Sequence, residues 1–286
     1  MRIRTLRNAA RFAVLMCSLA MLAACGAPKP VYTIEKWYFA PDYIVVNEAD
    51  PSSSEGWRRG SDFFGSVENP IVTGGVSTQT AGVMNLAMES TIRSLLHDGV
   101  TAEWAAAWDG GAIFGYWNSA MESSYPAAED GTVPTHPAWY LELKAREVPW
   151  GKDFIQWSFV YDAFTGGKSP RQLRTFLHLD PRLGTDIRLD SLATSGAAFE
   201  EIRQKLWQAV LAELGVKNPA YVPNGPVLLA GDQPVSDIHM ITNQNWQLDA
   251  SGLTLVLNPG IAAPAEAGAI TVAIPAAELK GLLKGF

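Results

Sequence analysis

Cys25 is the residue whose surroundings prescribe chemistry most clearly. It closes the run Leu22-Ala23-Ala24-Cys25-Gly26, where small side chains leave the backbone open to a peptidase and the thiol is placed for acylation. Upstream stand Arg2, Arg4, Arg7 and Arg11 without an acid among them, then an apolar run from Phe12 to Ala24. That run has the length of a signal-peptide core and is too short for a stable bilayer-spanning helix. The pattern predicts a signal peptide over 1–24 and a lipidated Cys25 at the head of a short tether, 25–31. The partner implied is the membrane itself, since two or three acyl chains anchor a protein where a single chain binds only marginally.

Other reactive side chains are sparser. Thr165-Gly166-Gly167-Lys168-Ser169 ends like a phosphate loop, but a Walker loop also needs a glycine at position 162 and a helix directly after. Asp162 stands there and a strand-like alternation follows. The segment therefore reads as a tight turn whose glycines supply positive φ. Trp104, Trp108, Phe114, Tyr116 and Trp117 form an aromatic segment that reads as core, with a sugar-stacking surface as the functional alternative. Trp108-Asp109-Gly110-Gly111 reads as a turn, which makes Trp108 the candidate for exposure. His97, His136, His178 and His239 are scattered. Asp237-Ile238-His239 puts two possible ligands on one face, with no third at metal spacing. His178 shares a strand face with Arg174 and Phe176, opposite the leucines, which predicts solvent exposure. No serine stands in a Gly-x-Ser-x-Gly setting, and the carboxylates single out no pair. No cofactor is implied and no catalytic set is visible.

Charge and cysteine use narrow the classes further. Removing residues 1–24 moves the net charge from −7 to −11. A surface so acidic disfavours nucleic acid and favours a basic partner. Cys17 leaves with the signal peptide and Cys25 is lipidated, so no thiol remains for a disulfide, metal or nucleophile.

The elements that must position any site follow from hydrophobic period. Val31–Ile34 and Trp37–Phe39 read as strand with a slip at Glu35-Lys36; residues 49–62 and 121–137 read as loops. Apolar positions over 82–96 suit a helix. Trp139, Leu141, Leu143 and Ala145 alternate with polar residues, as do Ile155, Trp157, Phe159 and Tyr161, which predicts a long antiparallel hairpin; Leu173–Leu179 adds a third strand. The second helix runs over 197–214, with Gly215 as its cap. Trp246–Leu248 and Leu253–Leu257 flank a turn, and Ile270–Ile274 precedes a helix expected from Pro275 through Leu282. Strands with two long helices define an α+β class. The expected architecture is an antiparallel sheet with both helices packed on one face, possibly in two subdomains, 32–137 and 138–286.

The second half carries a resemblance. The segment Phe164–Pro170, the run Leu179-Asp180-Pro181-Arg182-Leu183-Gly184, the helix over 197–214 and the tail motifs Gly252-Leu253-Thr254-Leu255, Ile261-Ala262-Ala263-Pro264 and Ile274-Pro275 come in an order that resembles the extracellular domain shared by the anti-sigma factor RsiV and the peptidoglycan deacetylase PdaC. The likeness covers residues ~138–285 and departs where that family has Gly-Gly-Ala-His and this chain has Gly166-Gly167-Lys168-Ser169. It implies a binding role, with a basic lysozyme-like muramidase as a partner; the alternative reading is a peptidoglycan- or glycan-binding module or an envelope hydrolase accessory protein. The loops 162–172 and 258–268 would then form the binding edge. Thr165, Gly166, Gly167, Lys168 and Pro264 would contribute to it, and Trp108 would supply the aromatic surface. Gly26, which is not an acid, resembles the sorting signal of lipoproteins bound for an outer membrane, and predicts its periplasmic face.

Overall fold

The structure, a computed structural model, describes residues 29–39, 63–96, 110–126, 138–150, 154–166, 170–217, 227–228, 234–235 and 240–286. Its class is α+β. A five-stranded sheet is built in the order β1 (Val31–Phe39), β2 (Phe63–Gly74), β3 (Trp139–Glu147), β4 (Ile155–Phe164) and β5 (Arg171–Leu179). Neighbours are antiparallel except β2 and β3, which run parallel. Between β2 and β3 lie α1 (Thr78–Leu96) and α2 (Gly110–Ser124). After β5 come a short helix α3 (Leu189–Leu192), the long α4 (Gly196–Lys217) and a two-residue ribbon, β6 (Val227–Leu228) with β7 (Pro234–Val235). A second sheet, in the order β10 (Ile270–Pro275), β9 (Gly252–Leu257) and β8 (Trp246–Asp249), leads into the closing α5 (Ala276–Leu279).

Each long helix covers its own sheet. Helix α1 starts where the Ser77 hydroxyl caps the Thr80 amide at 3.1 Å, and Met84, Met88, Ile92 and Leu95 bury on the first sheet against Leu141, Leu143, Phe159 and Leu177. Helix α4 starts where Ser195 Oγ caps the Ala198 amide at 3.1 Å. Its buried Ile202, Leu206, Val210 and Leu214 recur every fourth residue, so one stripe meets Leu253, Leu255 and Ile274 of the second sheet. The period of those apolar residues is what the sequence encodes most directly.

Several boundaries differ from expectation, each for a local reason. Helix α2 begins at Gly110 and runs to Ser124, across residues that read as a turn and then a loop. Ile113, Phe114, Trp117 and Met121 all turn inward from it, and their burial outweighs the poor helix propensity of the glycines. Helix α4 continues through Gly215 to Lys217, whose ammonium pairs with Glu213 at 3.5 Å and bonds the Ala269 carbonyl at 2.6 Å. Strand β1 is continuous through Glu35-Lys36; its irregularity lies between Val31 and Tyr32. The helix after Pro275 stops at Leu279.

Candidate functional site

The first sheet has two faces. One carries Val67, Leu141, Leu143, Phe159 and Leu177 under helices α1 and α2. The other is divided along its length, and the division separates a structural polar cluster from a candidate site.

At one end the second sheet covers it. His178 is 1% exposed, which overturns its expected exposure. Strand β8 and the turn before it lie over this part of the face: the His178 ring stacks on Trp246 with centroids 3.5 Å apart and planes 6° from parallel. Nδ1 lies 3.1 Å from the Asn243 carbonyl, and Nε2 3.2 Å from Gln156 Oε1. Both partners are carbonyl oxygens, which only accept, so the neutral ring donates to one of them at a time. Burial pushes the imidazole down to about 3 and keeps it neutral. Gln156 in turn donates to Leu248 O and accepts from Leu248 N, both at 2.8 Å, joining the two sheets side chain to main chain.

At the other end the face carries opposed acids. Glu142 on β3 pairs directly with Asp162 on β4, and Asp162 with Gln172 on β5. Tyr140 Oη donates to Asp162 Oδ1 at 3.1 Å, and Gln172 Nε2 donates to Asp162 Oδ2 at 3.2 Å. Lys144 Nζ lies 3.1 Å from Glu142 Oε2, whereas Glu142 Oε1 is buried with no hydrogen-bond partner among the described residues. Phe64 stacks on Tyr140 at 5.6 Å, widening the patch with an aromatic surface. Burial, then the Asp162 carboxylate, pushes the Tyr140 phenol up to about 12, so it stays a hydrogen-bond donor at neutral pH. Carboxylates directly across a strand pair repel. Lys144 offsets part of that repulsion from the Glu142 side, and a further cation seated between the two acids would relieve the rest.

Of the sequence-predicted residues, Thr165 and Gly166 lie beside this patch. They close β4 just beyond Asp162. Gly166 has φ of 87°, and a Cβ there would collide with the Trp139 ring, so the turn and its packing both require glycine. Gly167, Lys168, Trp108 and Cys25 lie outside the described residues, as do His97, His136 and His239. Pro264 is exposed at the head of a 3-10 turn, Ala265–Ala267, and its carbonyl accepts from the Ala267 amide at 2.9 Å. The expected loop 258–268 meets strand β5 just past the end of the expected loop 162–172. Asn258 accepts from the Arg174 amide at 2.8 Å and donates to the Arg174 carbonyl at 2.9 Å, as an added strand would. Among the described residues, no main-chain hydrogen bond connects Pro264 to Thr165 or Gly166. In the aromatic segment Phe114 and Trp117 are buried and Tyr116 half-buried, all on α2. Among the described residues, no three of His, Cys, Asp or Glu converge as a metal site, and no helix is long and apolar enough to cross a membrane.

Glu142 and Asp162 escape sequence reading because their register depends on the 148–154 connection. Only its length marks the pairing, and that length fits several registers.

The fold is similar to two solved structures. One is a DUF3298 family protein from Bacteroides fragilis, 14% identical, with a TM-score of 0.57; the other is a DUF3298 family protein from Pseudomonas aeruginosa, 14% identical, with a TM-score of 0.51. In each case the likeness covers 91% of this chain and 96% of the other. No protein-family model matches the chain, and no curated protein does. At this identity the likeness concerns fold alone. It corrects the expected family: these two similar structures are DUF3298 family proteins, not RsiV- or PdaC-type domains, and the lysozyme recognition implied by that resemblance is withdrawn with it. The motifs that suggested it are dictated by local geometry. Gly166 and Gly252 sit at positive φ in turns, and Pro275 fixes the entry to α5. Such signals report turns and strands, which many chains share.

Proposed function

We propose that this chain is a lipid-anchored binding protein of the cell envelope, held through Cys25 and recognising a basic partner at the Glu142/Asp162 face. The observation that carries this reading is the directly opposed carboxylate pair, with one buried Glu142 oxygen lacking a partner among the described residues. An ammonium or guanidinium group between the two acids would supply the missing bond and remove their repulsion. The net charge of the processed chain steers such a ligand from a distance. The role is binding without catalysis. Placement at the periplasmic face of an outer membrane follows from the Cys25-Gly26 signal where the host has such a membrane.

The Phe64–Tyr140 stack favours one second reading, a peptidoglycan or other glycan module, because an aromatic face suits a sugar ring. The two are separated by titrating the chain with a lysine-rich peptide and with soluble peptidoglycan fragments at low and high salt. Binding of the cationic peptide that weakens with salt, and weakens further in Glu142→Gln, supports the proposal. Salt-independent binding of the glycan alone sinks it. Incorporation of labelled fatty acid in the parent and its loss in Cys25→Ser tests the anchor separately.

A further inference from the structure

Among the described residues, the second sheet ends in a free edge at β10. In β9 the Val256 amide donates to the Asn245 carbonyl at 2.8 Å, so Thr254 and Val256 turn their main-chain groups toward β8. By the alternation of an antiparallel ladder, Leu253, Leu255 and Leu257 turn theirs toward Ile274, Val272 and Ile270 of β10. The N–H and C=O groups of Thr271 and Ala273 therefore point away from the sheet, and no described residue bonds them. The edge is bounded. Lys217 caps the Ala269 carbonyl at one end, and Pro275, which has no N–H, closes the other.

Helix α4 runs alongside. Its stripe Glu201, Gln204, Lys205 and Gln208, together with Trp207, faces Ala273, Ile274, Pro275 and Glu278 across a groove of about 460 Å³. Lys205 Nζ lies 3.0 Å from Glu278 Oε2 and 3.9 Å from Glu201 Oε1, so two carboxylates share one ammonium and the rim is net negative.

We propose that this groove takes an extended peptide segment carrying a lysine or arginine, added as a further strand to the β10 edge beside α4. Donor and acceptor groups repeating every second residue, roughly 6.6–6.8 Å apart, match the main chain of another strand. A sugar can satisfy one such group but not the repeat. Gln204 and Gln208 each offer a donor and an acceptor to the outer side of the bound strand, and Glu201 and Glu278 attract its cationic side chain. This site is independent of the Glu142/Asp162 face.

The probe is a capped peptide of alternating threonine and valine with a lysine at each end, added to the whole processed chain. The readout is amide hydrogen exchange at Thr271 and Ala273. Saturable slowing at those two amides is expected, with binding about tenfold weaker when alternate peptide nitrogens facing β10 are methylated and unchanged when the other set is methylated. Glu278→Gln should weaken binding several-fold, and Ala273→Pro, checked by thermal unfolding, should remove it. Protection of both amides without peptide would mean that the chain's own segments occupy the edge, and would overturn the proposal. So would equal binding of the two methylated peptides, no slowing in excess peptide, or quenching of Trp207 by peptidoglycan fragments in place of the peptide.

Discussion

Two polar clusters share one face of the first sheet and are built on opposite principles. Around Gln156 and His178 the face is sealed by β8, and both side chains reach main-chain partners across the seam, while the Trp246 indole N–H is buried without a partner among the described residues. Around Glu142 and Asp162, two like charges stand opposite each other, and one carboxylate oxygen is buried without a partner among the described residues. The first arrangement lowers the cost of burying polar atoms and fixes how the two sheets meet. The second is offset only in part: Lys144 pairs with Glu142 Oε2, and Tyr140 and Gln172 donate to Asp162, but Glu142 Oε1 has no partner among the described residues. The comparison teaches where to look for function: at polar atoms whose placement stability does not explain.

The comparison can be broken first at the seam. Trp246→Ala removes a fully buried indole and the platform under His178, and should lower unfolding stability by about 3–5 kcal/mol in a denaturant titration. Gln156→Leu leaves the Leu248 amide and carbonyl buried without bonds, and should cost about 1–3 kcal/mol for each group that finds no other partner. Neither change should alter affinity for a cationic peptide, provided the variant is folded.

Acid tests the same seam differently. The native His178 value near 3 lies below the ordinary value of 6.5, so the unfolded chain takes the proton first. The contribution of this group is complete above about pH 6.5 and is lost as pH falls toward about 3, with a slope of up to about 1.4 kcal/mol per pH unit. His178→Phe keeps a ring on Trp246 and should flatten that part of the stability profile, measured by urea unfolding across pH. A profile unchanged by the substitution would remove His178 as the cause.

The smallest effect on stability is expected at the other cluster. Glu142→Gln or Asp162→Asn relieves a cross-strand repulsion, worth about 0.2–1 kcal/mol, and should leave the unfolding midpoint unchanged or slightly raised. Loss of stability on that scale or larger would mean that the acids serve the fold.

Legibility follows the same division. The β3–β4 hairpin is readable because Trp139, Leu141 and Leu143, then Ile155, Trp157 and Phe159, alternate with a period of two. Helix α4 is readable because Ile202, Leu206, Val210 and Leu214 recur along one face. Strand β2 is much harder to see, since Gly65, Asn69-Pro70 and Gly74 resemble a loop; its place between β1 and β3 supplies what its composition lacks. His178 reads as exposed because alternation shows only that a side chain leaves one face. It does not show that a second sheet covers the other. Of the candidate site, the Gly166 turn beside Asp162 is visible in sequence. The Glu142/Asp162 pairing is a matter of register across a long connection and becomes visible only in space.

The central claim is that Glu142 and Asp162 are retained for a cation. The most direct measurement is calorimetric titration of a lysine-rich peptide, N-methylated so that it cannot add to the β10 edge, into the processed chain and into the Glu142→Gln, Asp162→Asn double variant, with unfolding measured on both. The account predicts salt-sensitive binding that the double variant loses while its stability is equal or higher. Unchanged binding, or a variant that is both destabilised and unable to bind, would contradict it.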